Sequence, residues 1–261
     1  MRITVDQQDI FVATGGVPFD SSKPTVVFLH GAGMDHRGWA LQARWFAFHG
    51  FSVFAPDYPG HSLSKGEPLT SVKELGNWLI RALDAVGATS VHLVGHSQGF
   101  LVALEAAEGL KDRLKSITAM ATAASIPVNP ALIETAQKSA GTAAGMMLQW
   151  GFGQATQMGL SPVPGMQPIA IGYQIMSNNP LAIDLAACSQ YETGAAQAAK
   201  ITCPAHVILA TEDKMTPMKG GLALAETLGV TADCIEGAGH MLPIEAPAEC
   251  LASLRKFIQA I

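Results

Sequence analysis

The chain has 261 residues, 49% of them hydrophobic and only 14% charged, with a formal net charge of −5 at pH 7. That length fits one large domain, or a core with one insertion, and it suffices to bury a substantial hydrophobic core. The chain carries no block of Lys and Arg, so a nucleic-acid surface is excluded as an expectation.

In chain order, "RITV" and "IFVAT" predict two short strands. "TVVFLHG" is an apolar, β-branched run that ends in glycine, which predicts a buried strand. "GWALQARWFAFHG" has helical spacing, and "FSVFAPDYPG" is a strand running into a turn. Ser71 with Glu74 three residues on forms a capping box, which opens a helix over "SVKELGNWLIRALDAVG". "SVHLVG" predicts a strand, "FLVALEAAEGL" a helix and "LKSITAMATA" a strand. Such alternation predicts an α/β fold, a mostly parallel β-sheet with helices on both faces.

From about residue 126 the strand signals stop. Helical pieces "PALIETAQKSAGTAAGMMLQWGF", "IAIGYQIM" and "PLAIDLAACSQY" are joined by Pro/Gly loops. The only charges in 126–199 are Glu134, Lys138, Asp184 and Glu192, and no arginine lies between Arg113 and Arg255. "AHVILATEDKMTP" restores the strand pattern, followed by a helix, "GGLALAETLG", and by "ADCIEGAGHML". The expected organisation is a core of 1–125 and 200–261 with a helical cap at 126–199. The longest apolar stretches are too short and interrupted to span a bilayer, and the start lacks an apolar signal core, so a cytoplasmic location is expected. Cys188, Cys203, Cys234 and Cys250 show no metal spacing and read as free, mostly buried thiols. No metal or cofactor is expected.

Residues 95–99 read "GHSQG", a serine between two glycines where a predicted strand gives way to a helix. This is the G-x-S-x-G nucleophile elbow in its expected context. The turn holds the serine in strained backbone geometry and leaves room only for small neighbours. Ser97 Oγ then projects above the sheet, at a helix N-terminus. An ordinary turn serine is the alternative.

With that motif the chain resembles a capped α/β-hydrolase, an esterase-like serine hydrolase, over essentially its whole length. "FLHGAGMDHRGW" resembles the family's oxyanion loop. "PDYPGHSLS" resembles its D-x-P-G-H-G-x-S turn, with Ser62 where glycine is usual. "ATEDKMTP" resembles its acid turn, with Ala210 replacing glycine, and "GAGHMLPIEAP" resembles its histidine loop.

A serine hydroxyl needs an adjacent base. His240, in a loop after the last strand, is that base in this reading; His96 is the alternative, with its side chain pointed away from the reacting side of Oγ. Asp213 completes the family order Ser…Asp…His, with Glu212 the neighbouring alternative. Gln98 supplies one oxyanion N–H through its backbone. The resemblance implies Ala32 for the second, with Gly33 as fallback. Met146, Met147, Trp150 and Met241 are the expected pocket residues. His30, His61 and Asp57 read as loop-bracing residues.

Several relatives are set aside by residue type. Dehalogenases and epoxide hydrolases of this fold use aspartate at the elbow, where this chain has Ser97. Hydroxynitrile lyases that resemble the family place a lysine where Met241 stands. The expected activity is hydrolysis of small, neutral, largely apolar esters or related acyl compounds through an acyl-enzyme. A carbon–carbon bond hydrolase of the same fold and a triad-bearing ligand receptor remain alternatives. The expected partner is a small apolar molecule, with a homodimer contact left open.

Overall fold

The computed structural model describes residues 1–261. The apolar, β-branched runs form eight strands: β1 (Arg2–Val5), β2 (Gln8–Ala13), β3 (Thr25–Leu29), β4 (Ser52–Pro56), β5 (Val91–His96), β6 (Leu114–Met120), β7 (Ala205–Ala210) and β8 (Asp233–Ile235). They make one sheet in the order β1-β2-β4-β3-β5-β6-β7-β8. β1 and β2 pair antiparallel at one edge, and β2 joins β4 antiparallel. From β4 to β8 every pairing is parallel. β3 and β5 are buried along their whole length, as central parallel strands covered on both faces must be.

The helices are α1 (Ala40–Ala47), α2 (Val72–Ala85), α3 (Gln98–Leu110), α4 (Pro130–Lys138), α5 (Ala140–Gly151), α6 (Gln154–Gln157), α7 (Pro168–Met176), α8 (Leu181–Ser189), α9 (Gly194–Ala198), α10 (Met218–Thr227), α11 (Leu242–Glu245) and α12 (Pro247–Ile258). The Ser71 cap forms: its Oγ accepts from Glu74 N–H at 3.2 Å, and α2 starts at the next residue. On one face of the sheet α2, α3 and α10 bury Trp78, Leu79, Leu101 and Leu224. On the other, α1 and α12 bury Phe46, Leu254 and Ile258. Each such large apolar side chain contributes roughly 1.5–3 kcal/mol when fully buried.

In the segment between β6 and β7 the regular elements are all helices, α4 to α9, joined by loops. Its first long apolar run is not one helix. Ser139 leaves the helical region at φ −160° and caps α5 by accepting from Thr142 N–H at 3.2 Å. α5, α7 and the start of α8 make a third apolar cluster with Met34, Met241 and Ile244 of the core loops. The end of the segment does something else: Tyr191 and Ala198 pack into the cluster of α2 and α3. Of the four thiols, Cys188 and Cys250 are buried, Cys203 is half-buried and Cys234 is exposed. No helix is long and apolar enough to cross a membrane.

Candidate active site

Ser97 stands between the end of β5 and the first residue of α3, at φ 52° and ψ −122°. A non-glycine residue held there costs on the order of 1–3 kcal/mol and persists only when its surroundings over-determine it. They do. Ser97 N–H donates to the Met120 carbonyl at 3.0 Å, and its own carbonyl accepts from Thr122 Oγ1 at 3.0 Å. The flanking glycines leave no room for a side chain. A Cβ at Gly95 would collide with the backbone of Phe100, and one at Gly99 with the carbonyl of Leu29.

His240 lies in the loop between β8 and α11. Its Nδ1 is 2.9 Å from Asp213 Oδ2, and both side chains are almost wholly buried. Asp213 sits just beyond β7. Its Oδ1 accepts the N–H groups of Met215 and Thr216 at 2.8 Å each, and its Oδ2 accepts the Thr216 hydroxyl at 2.7 Å. Burial works to raise the Asp213 pKa, but His240 and these hydrogen bonds outweigh it and hold the carboxyl below its usual range. An ionised Asp213 requires Nδ1–H on His240 and leaves Nε2 as the available base. Glu212 is turned elsewhere, its Oε2 accepting from Gln154 N–H at 2.7 Å. The histidine loop is also tied to the helical segment: Glu245 accepts Gly153 N–H and Gly239 N–H at 2.7 Å each.

Ser97 and His240 line one cavity of about 200 Å³. Ser97 Oγ makes no hydrogen bond to the ring in this arrangement; catalytic hydrogen bonds are often long in ligand-free sites and tighten with substrate. Ala32 lines the same cavity, and Gln98 follows Ser97 directly in the chain. Gln98 opens α3, so its N–H has no intrahelical acceptor. Gly33, the fallback donor, is taken, since its N–H donates to Asp184 Oδ2 at 2.7 Å.

Of the expected pocket residues, Met147, Trp150 and Met241 line the cavity and Met146 does not. Adjacent residues on a helix point about 100° apart. Met147 faces inward from α5 and is buried, while Met146 turns out and is 37% exposed. Sequence reasoning missed Leu185 and Cys188 of α8 and Lys214, which also line the cavity. Lys214 follows Asp213 directly, so its place beside the acid turn was a readable signal.

The other histidines do different work. His96 Nε2 donates to the His240 carbonyl at 2.8 Å. Burial and the neighbouring His240 push its pKa down to about 3, so it stays neutral. Burial likewise pushes His30 down to about 4. Asp57 accepts from the backbone and Nδ1 of His36 and from Leu63 N–H, which braces the turn after β4. Asp35, His36 and Asp57 bring three metal-type side chains within 4.8 Å of one another. Asp35 is already paired by Arg37, and its Oδ2 accepts from Asn179 Nδ2 at 3.3 Å, so these carboxylates fit an internal brace better than a cation site.

A model of the alpha/beta hydrolase family matches residues 26–253. The dihydrolipoyllysine-residue acetyltransferase component of the acetoin cleaving system from Cupriavidus necator is 33% identical over 94 residues, 36% of this chain and 25% of that protein. Epoxide hydrolase 3 from Siraitia grosvenorii is 31% identical over 133 residues, 48% of this chain and 42% of that protein. The chain thus spans less than half the length of these relatives. Among solved structures, a thermophilic esterase from Thermogutta terrifontis superposes with a TM-score of 0.84 at 20% identity, covering 100% of this chain and 98% of that one. The enol-lactonase from Burkholderia xenovorans LB400 gives 0.85 at 21% identity, covering 99% and 100%. At such identities these two superpositions speak for the fold alone.

Proposed function

This chain belongs to the alpha/beta hydrolase family, and from that premise we propose that it is a serine hydrolase of small, neutral, largely apolar esters. The observation that carries the reading is the meeting in one cavity of Ser97, at a strained helix start, and His240, held by a buried Asp213.

In this mechanism His240 Nε2 takes the proton of Ser97 Oγ as the oxygen attacks the ester carbonyl. The C=O electrons move onto oxygen, and the N–H groups of Ala32 and Gln98 stabilise the oxyanion. Collapse expels the alcohol, which leaves with the proton from His240. Water, activated by the same ring, then attacks the acyl-enzyme and releases the acid. Asp213 holds the tautomer and stabilises the imidazolium throughout.

The helical segment 126–199 serves as a cap, in that Met147, Leu148, Met176 and Leu185 supply apolar wall to the cavity. A cavity of about 200 Å³ is smaller than the roughly 300–1,000 Å³ of drug-sized sites, which favours a short acyl group. Lys214 is exposed at the rim, where water screens its charge. A carboxylate deep in this pocket is left without a buried partner, at a cost of several kcal/mol.

The test is a panel of p-nitrophenyl esters of graded acyl length, with an ω-carboxylate analogue at one length. Steady multiple turnover, best with short neutral acyl groups, is expected. A single burst followed by a stable adduct points instead to a ligand receptor. A clear preference for the carboxylate points to a carbon–carbon hydrolase type of site.

A further inference from the structure

Helix α8 brings one carboxylate, Asp184, into an otherwise apolar segment, and that carboxylate is 1% exposed. A buried charge persists only where it is paired and hydrogen-bonded. Asp184 Oδ2 accepts Gly33 N–H at 2.7 Å and lies 2.9 Å from His61 Nε2. His61 Nδ1 is 3.0 Å from the Pro59 carbonyl, so both ring nitrogens face acceptors. The backbone of Asp184 completes the arrangement: its carbonyl accepts from Gln98 Nε2 at 3.1 Å. One residue therefore touches the neighbour of Ala32 on one side and Gln98 on the other. Ala32 and Gln98 are the two residues whose backbone N–H groups the mechanism aims at the oxyanion.

We propose that Asp184 is a positioning residue that sets the Ala32 oxyanion donor, fixing the Ala32–Gly33 turn through its carboxylate. This rests on the serine-hydrolase reading above.

The surroundings support a rigid clamp. Gly33 is at φ +68°, and a Cβ there would meet Leu181 Cδ1 of α8 at 2.7 Å. Asn179, just before α8, donates through Nδ2 to the Gly33 and Met34 carbonyls at 3.1 Å each. Its Oδ1 accepts Ser62 N–H at 2.8 Å, next to His61. The turn that carries Ala32 is thus pressed and hydrogen-bonded from the helical segment. An oxyanion donor moved by a fraction of an ångström loses much of its effect on the transition state and little on the bound ground state.

The experiment compares Asp184→Leu, nearly isosteric but without an acceptor, with Asp184→Asn, whose amide oxygen still accepts Gly33 N–H. Both are assayed in the full chain with p-nitrophenyl butyrate, alongside wild type and Ser97→Ala. Removing one oxyanion donor outright costs about 10²–10³ in kcat. A displaced donor should cost less, so Asp184→Leu should lose about 10- to 100-fold in kcat with KM within about threefold. Its inhibition by butylboronic acid, which forms a tetrahedral adduct on serine, should weaken by a similar factor. Asp184→Asn should recover most of both. Thermal melts establish that each variant is folded. If Asp184→Leu does not fold, Asp184→Ser serves as the second acceptor-poor variant. Unchanged kcat and boronate affinity in a folded Leu or Ser variant overturn the proposal, as does an Asn variant as impaired as Leu. If wild type shows no turnover that Ser97→Ala abolishes, the serine-hydrolase reading falls first, and this one with it.

Discussion

The ring of His96 lies 4.9 Å from that of His240, and its Nε2 donates to the His240 carbonyl at 2.8 Å. A residue beside the candidate nucleophile thus holds the backbone of the candidate base. Because His96 stays neutral, it gives this support without placing a second positive charge beside His240. In His96→Ala the His240 carbonyl is left buried without a donor, which costs about 1–3 kcal/mol of stability. A base displaced by the resulting shift should cut kcat by about 10- to 100-fold. Urea denaturation and steady-state kinetics check both. A variant with full stability and full kcat removes His96 from the account.

The elbow makes a prediction that involves no chemistry. A methyl group at Gly99 runs into the Leu29 carbonyl, a backbone atom that cannot swing aside. Overpacking costs typically about 1–3 kcal/mol and occasionally more, and a clash with backbone belongs to the upper end. Gly99→Ala should therefore be strongly destabilised or insoluble, as judged by thermal melts and soluble yield. Gly229→Ala is the comparison: a Cβ there meets nothing within 4 Å, although its φ of +70° adds some backbone strain. The Gly99 variant should be much the worse of the two.

The core was legible in the sequence because its signals are local. Alternation of β-branched runs and amphipathic helices fixes the parallel sheet, and Ser71 with Glu74 marks a helix start through one side chain and one N–H. The elbow is legible for the same reason, since two glycines and a serine within five residues state the turn they make. The helical segment was less legible. A continuous apolar run hides the break at Ser139, where capping wins over periodicity. Met146 and Met147 are alike as residues, and only the rotation of α5 decides which one faces the cavity. Asp184 is a long-range case. As a lone carboxylate in an apolar helix it was visible, but its partners Gly33 and His61 lie more than 120 residues away. α12 carried no motif and emerged only from packing against α1.

The buried pair of His61 and Asp184 predicts a pH dependence of stability. Burial works against a charged His61, but Asp184, the Pro59 carbonyl and the more distant Asp57 outweigh it and raise its pKa above the usual imidazole range. His30, which also faces it, is held neutral. A group whose folded pKa is raised contributes stability that is complete below its unfolded value, about 6.5, and that is lost as pH rises through the folded value. The Tm difference between wild type and Asp184→Asn should be largest near pH 6 and shrink towards pH 9. Thermal melts across that range check it, and a difference that grows with pH contradicts the pairing.

The central claim is that Ser97, His240 and Asp213 act as one unit, and kcat for a short neutral p-nitrophenyl ester in the Ser97→Ala protein tests it most directly. Loss of a serine or histidine from such a unit costs on the order of 10⁶ in kcat, and loss of the carboxylate on the order of 10⁴. Because the groups act together, Ser97→Ala with His240→Ala should be little worse than either alone. The account predicts that folded Ser97→Ala falls by about that factor, to the residue left by binding and the oxyanion donors. A Ser97→Ala protein that still turns over the ester near the wild-type rate would contradict it.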